Sequence, residues 1–176
     1  LTDDEKELCL NTALEEYGDY LKHLVYTYVK DIQKTEDIVQ DVFIKFYKSL
    51  DRFEGRATFK TYLYRIAVNE CKNYLKSWHF RKFEVTEKIK MWKNRESAES
   101  EVIRKEQSET IADIVNELPV KYREVIWLFY YLELSVAEIA EVLNCSVNTV
   151  KTRLARGRKQ AKISIEESVG QYEYQR

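Results

Sequence analysis

Apolar positions in this chain recur at intervals of three and four, and no segment sustains the every-second-residue alternation of a half-buried strand. Four glycines and one proline in 176 residues leave few breaks in that rhythm, so the pattern predicts an all-α protein. The clearest stretch begins at Ser135, which with Glu138 three residues later forms the capping box that opens a helix. Ala137, Ile139, Ala140, Val142 and Leu143 give that helix its apolar side. Asn144-Cys145-Ser146 interrupts it, and Ser146 is placed to cap a second helix. In that helix Val147, Val150, Leu154 and Ala161 are the expected buried positions. Two short helices joined by three residues predict a helix-turn-helix.

The front half reads as longer helices. Thr35 is the expected cap of one, with Glu36 and Asp37 favourable near the positive end of its dipole. Ile38, Val42, Phe43, Phe46 and Leu50 form its apolar stripe, while Asp37, Gln40, Asp41 and Ile44 share another face. After the loop DRFEGRAT, FKTYLYRIAVNECKNYLKSWH predicts a further helix that buries Leu63, Ile66, Ala67, Cys71, Tyr74, Leu75 and Trp78. Its opposite side carries Arg65, Asn69, Lys72 and Lys76. The run Asp3, Asp4, Glu5 and Glu7 suits a capped helix start. Residues 80–106 are charged and lack a steady period, which predicts a flexible linker. Two small helical domains are therefore expected, at 1–79 and 107–176.

Charge sharpens this division. The formal net charge is −1, which alone argues against a nucleic-acid binder. Yet Asn144 to Lys162 holds six basic residues and no acid, and Arg56 to Lys82 holds seven basic residues against Glu70. Two basic islands in a neutral chain predict local nucleic-acid contacts without strong nonspecific affinity for the whole molecule. Cys9, Cys71 and Cys145 contain no C-x-x-C pair, and the histidines are scattered, so no disulfide, metal or cofactor is expected. The longest apolar run, Val125 to Leu132, is too short to span a bilayer. The acidic start does not read as a signal peptide. A cytoplasmic protein is the expectation.

The chemistry of each island follows from its residue types. On the rear helix, Lys151, Thr152, Ala155 and Arg156 are placed to read base edges in a major groove. Ser146, Asn148, Thr149, Arg153, Arg158 and Lys159 suit phosphates, which position a helix without reading sequence. Gly157 sits oddly in a helix, and marks either fraying or a close approach. On the front island, Phe53, Phe59, Tyr62 and Tyr64 interleave with cations, a composition suited to single-stranded DNA. Core packing accounts equally well for Phe59 and Tyr64. Ile44 beside Asp37 and Asp41 is either ordinary surface or a docking face.

DIVQDVFIKFYKSLDRF with FEGRATFKTYLYRIAVNECKNYL resembles the second conserved region of bacterial sigma factors of the extracytoplasmic-function (ECF, group IV) family. NELPVKYREVIWLFYYLELSVAEIAEVLNCSVNTVKTRLARGRK resembles their fourth region, in the right order and spacing. The resemblance implies that Asp37, Gln40, Asp41 and Ile44 bind the clamp helices of the large subunit of core RNA polymerase. It implies a minus-ten promoter surface made of Ser49, Phe53, Phe59, Tyr62, Arg65, Asn69, Lys72, Asn73 and Lys76. Ser49, Phe53 and Asn69 would hold a flipped base. The helix-turn-helix would read the minus-thirty-five element as duplex, and an anti-sigma factor would control the protein. An autonomous dimeric regulator lacks a dimerisation or ligand domain here, and a protein-only adaptor leaves both basic islands unexplained. A hydrolase has no plausible site.

Overall fold

The computed structural model describes residues 2–53, 55, 57–89 and 111–173, with side chains described as far as Ser77 in the first part and Glu166 in the second. Among the described residues every regular element is helical. Three helices form the front group: α1 (Asp3–Val29), α2 (Ile32–Ser49) and α3 (Phe59–Ile89). Four form the rear group: α4 (Ile111–Glu117), α5 (Val120–Ile126), α6 (Val136–Leu143) and α7 (Val147–Glu173).

Local chemistry sets most helix ends. Thr2 accepts from the amide of Glu5 while Glu5 reaches back to the amide of Thr2, so the acidic run does open a helix. α1 stops at Lys30, whose φ of 54° turns the chain left-handed. α2 starts one turn earlier than expected. Asp31 is its cap, accepting from the amide of Lys34 at 2.8 Å, and Thr35 lies inside the helix with its hydroxyl donating to the carbonyl of Asp31. An extended Asp one turn upstream satisfies the free amides, and the Thr methyl is then free to be buried. α3 runs ten residues beyond His79, so the first part of the expected linker is helical backbone. The rest of that linker, with Met91 and Trp92, falls outside the described residues.

Packing bears out the apolar stripe of α2 and most of that of α3, where Ile66, Tyr74 and Leu75 are half-buried and the Trp78 side chain lies outside the described residues. Ile38, Val42, Phe43, Phe46 and Leu50 are all buried, as are Leu63, Ala67 and Cys71 on α3. Tyr64 is 1 % exposed, which makes it core. In the rear group α5 runs into a π-helical turn, Trp127–Tyr131, in which the amide of Leu132 reaches the carbonyl of Trp127. Arg123 is buried and donates to the carbonyls of Asn116 and Leu118, satisfying the open end of α4. α7 packs on α5 through Val150, Leu154 and Gly157, a stripe that starts three residues later than expected, since Val147 is exposed. Gly157 is a close approach: a Cβ there would stand 2.9 Å from Ile126 Cδ1 and 3.3 Å from Tyr122 Cβ.

The two groups touch. α6 lies on α3 and α5 on α1, and the buried apolar residues of both groups join into one cluster. Among the described residues no helix is long and apolar enough to cross a membrane.

Candidate nucleic-acid interface

At the front, a short 3-10 turn (Leu50–Arg52) brings Phe53 beside the start of α3. Phe53 stacks on Phe59 at 4.4 Å with the rings 22° apart, and leans on Tyr62 at 5.3 Å. Phe59 meets the buried Phe46 edge-on, so the exposed Phe59 and the half-buried Phe53 and Tyr62 rest on the core. The guanidinium of Arg65 lies 5.2 Å over the Tyr62 ring, a geometry in which the cation is attracted to the ring face. These groups border a cleft of about 490 Å³ lined by Arg52, Phe53, Ala57, Tyr62, Arg65, Glu141 and Asn144. Phe53, Tyr62 and Arg65 thus come together as expected.

Other front residues are spread differently. The hydroxyl of Ser49 donates to the carbonyl of Phe46 at 2.7 Å, and neither Ser49 nor Asn69 lines the cleft. Asn69, Asn73 and Lys76 stand exposed along α3. Lys72 does not stand free on that face: its ammonium lies 3.7 Å from Glu124, a buried carboxylate of α5. Arg52 and Ala57 were missed by sequence reading, although Arg52 directly precedes an expected ring. Glu141 and Asn144 come from the rear group, and no local pattern could have placed them there.

The rear surface is α7. Asn144 closes α6 with a φ of 51°, and the amide of Cys145 donates to the carbonyl of Ala140, as in a Schellman turn. Ser146 then accepts from the amide of Thr149 at 3.1 Å and shares a hydroxyl contact with it at 2.8 Å. Lys151, Thr152, Ala155, Arg156, Arg158 and Lys159 are exposed together, with Asn148 and Ser146 at the entry. Arg153 departs from that face. It turns inward and donates to Glu124 at 3.0 Å.

A third surface lies on α2. Asp37, Gln40, Asp41 and Ile44 are all exposed, Ile44 by 44 %, and Asp37 pairs with Lys34 one turn away. Gln40 and Ile44 border a groove of about 620 Å³ between α1 and α2, whose apolar lining includes Leu10, Leu14, Val39 and Phe43. No trio of potential metal ligands occurs among the described residues. Burial pushes the Cys71 thiol up to about 12, which keeps it protonated and unreactive.

Comparison with known proteins places the chain in a family. The Sigma-70 region 2 family matches residues 13–79, and the Sigma-70 region 4 family matches residues 108–160. The ECF RNA polymerase sigma factor SigW of Bacillus subtilis is 39 % identical, with 81 % of each chain covered. The chain belongs to the ECF RNA polymerase sigma factors. The ECF RNA polymerase sigma-E factor of Escherichia coli is 34 % identical over 85 % of this chain and 82 % of its own. Two solved structures share the fold at 22 % identity and a TM-score of 0.64: CnrH in complex with the cytosolic domain of CnrY, and the sigma factor RpoE in complex with the anti-sigma factor NepR from Bartonella quintana. They cover 90 % and 93 % of this chain, and 88 % and 95 % of their own. In this sigma factor α1–α3 are region 2 and α4–α7 carry region 4, and the factor directs RNA polymerase to promoters.

Proposed function

We propose that this sigma factor reads a two-part promoter with the residues described above. Phe53, Phe59 and Tyr62 form a stacking platform for unpaired bases of the minus-ten element, and Arg65, Asn73 and Lys76 hold its backbone. Flipping a base costs a few kcal/mol, and stacking on an aromatic returns roughly 1 to 3 kcal/mol. Those terms nearly cancel, so opening depends on polymerase as well. The flipped-base pocket that the family resemblance implies takes Phe53 from this platform, with Ser49 and Asn69 outside the cleft. On α7, Lys151, Thr152, Ala155 and Arg156 read the minus-thirty-five duplex, while Ser146, Asn148, Thr149, Arg158 and Lys159 take phosphates.

Asp37, Gln40, Asp41 and Ile44 dock on the clamp helices of core polymerase. The chain acts by binding, with no catalytic step of its own, in the cytoplasm where polymerase and DNA are. An anti-sigma factor controls it, a reading supported by the partners of CnrH and of the Bartonella protein. The observation that carries the proposal is the Phe53–Phe59–Tyr62 platform beside Arg65, a base-stacking surface at the start of the helix with the basic island. Potassium permanganate footprinting on a promoter tests it. Phe53→Ala should abolish strand opening while polymerase still binds, and a pre-melted template should restore initiation. Unchanged opening would remove the platform from the reading.

A further inference from the structure

The cleft beside the ring cluster gathers charges that do not meet one another. Arg52 and Arg65 line it from region 2, and Glu141 and Asn144 line it from the end of α6. Among the described residues no ion pair joins either guanidinium to Glu141. The neighbouring acids are already taken: Lys6 pairs with Asp51, and Ser135 holds Glu138. Phe53 and Tyr62 supply flat apolar walls, and the Arg65 guanidinium rests over the Tyr62 ring. At about 490 Å³ the cleft lies within the range of small-molecule sites, about 300–1,000 Å³.

These features select a ligand. Two guanidiniums call for an anion, and phosphate suits their forked donors. A carboxylate only accepts, so Glu141 calls for N–H groups and repels a bare anion. Aromatic walls call for a flat ring between the two. A nucleotide carries all three parts. Among the bases guanine suits Glu141 best, since its N1–H and N2–H lie side by side and match two carboxylate oxygens. The other bases set an acceptor beside each N–H, which a carboxylate repels. Asn144 carries an amide that can donate to the adjoining O6 of guanine.

We propose that this cleft binds a free guanine mononucleotide, with Arg52 and Arg65 on the phosphate, Phe53 and Tyr62 against the base, and Glu141 on its N–H edge. The site shares its rings and Arg65 with the proposed minus-ten surface, but Arg52 and Glu141 give it a recognition of its own. It therefore stands whether or not the rings also stack promoter bases.

Isothermal titration calorimetry on the free full-length protein tests the site, with GMP as the probe. GMP should bind at least about tenfold more tightly than AMP, guanosine or inorganic phosphate, each of which lacks one charged contact. Glu141→Gln should lower GMP affinity about tenfold, to the level of AMP, and leave AMP binding unchanged. Arg52→Gln should weaken GMP and AMP alike, by about tenfold, and leave guanosine unaffected. Both side chains are exposed, so the unfolding midpoint should stay in place. No GMP binding, AMP bound as tightly as GMP, or a guanine preference that survives Glu141→Gln overturns the proposal. Phosphate bound as tightly as GMP reduces the cleft to an anion site and overturns it as well. A single-stranded thymine–guanine–thymine trinucleotide bound more tightly than GMP would assign the cleft to a DNA strand and overturn the free nucleotide.

Discussion

The two proposed DNA surfaces are built in contrasting ways. Region 4 presents a face on one helix: α7 is capped by Ser146, packed on α5 by Val150, Leu154 and Gly157, and exposes its polar side apart from Arg153, which turns inward. Region 2 presents a composite one, in which the ring cluster rests on Phe46, Arg52 and Arg65 share its cleft with Glu141 of the other region, and Lys72 pairs with Glu124. A duplex reader needs only a rigid helix with a polar side. A strand-opening surface needs rings that have partners before DNA arrives, because exposed aromatics otherwise face water. The rear face is thus built from one helix, while the front one draws part of its surroundings from the other region.

Substitutions can break or sharpen this contrast. The largest expected effect is in the support of the front platform: Phe46→Ala empties a fully buried site under Phe59 and should cost about 3–5 kcal/mol of stability, measured by urea unfolding. Next comes a pair on one helix. Arg153→Ala leaves Glu124 buried with one cation fewer and should destabilise the fold by roughly 2–4 kcal/mol, at the low end because Arg153 is itself 30 % exposed. Arg156→Ala should leave the unfolding midpoint in place and instead lose about 1–3 kcal/mol of discrimination between matched and scrambled minus-thirty-five elements. Equal loss on both elements would remove Arg156 from the readers. Unchanged stability of Arg153→Ala would contradict the buried pairing.

Smaller effects refine the rear face. Gly157→Ala gains about 1 kcal/mol of helix propensity but forces Ile126 and the fixed Cβ of Tyr122 aside. The net result should be a modest loss of stability, on the order of 1 kcal/mol. A rise in melting temperature would mean that α5 and α7 are less closely held. The smallest concerns α6. The Ser135 hydroxyl and amide hold the Glu138 carboxyl below its ordinary value. That contribution is complete above the ordinary carboxylate range and is lost as pH falls through the lowered value. Ser135→Ala should flatten the acid limb of the stability profile, by at most about 1 kcal/mol.

Sequence reading served the rear region better for the same physical reason. Capping boxes, turns and stripes are local, so Ser135, Glu138 and Ser146 were legible from neighbours three residues away. The apolar stripes of α2 and α3 were equally plain. Thr35 misled because Asp31, a stronger cap, lies one turn earlier. Lys72 and Arg153 misled more deeply. Spacing placed both on polar faces, but their partner Glu124 is distant in sequence and only the tertiary fold brings it near. The same holds for Glu141 and Asn144 in the front cleft. Gly157 showed its oddity in the sequence, whereas its cause, the side chains of α5, did not.

The most direct test of the account is run-off transcription from a promoter library with purified core RNA polymerase, with and without this protein. The account predicts protein-dependent initiation at sites sharing two separated elements, with Phe53→Ala failing on duplex templates and Arg156→Ala losing only the upstream preference. No initiation, together with tight promoter binding by the protein alone, would contradict it.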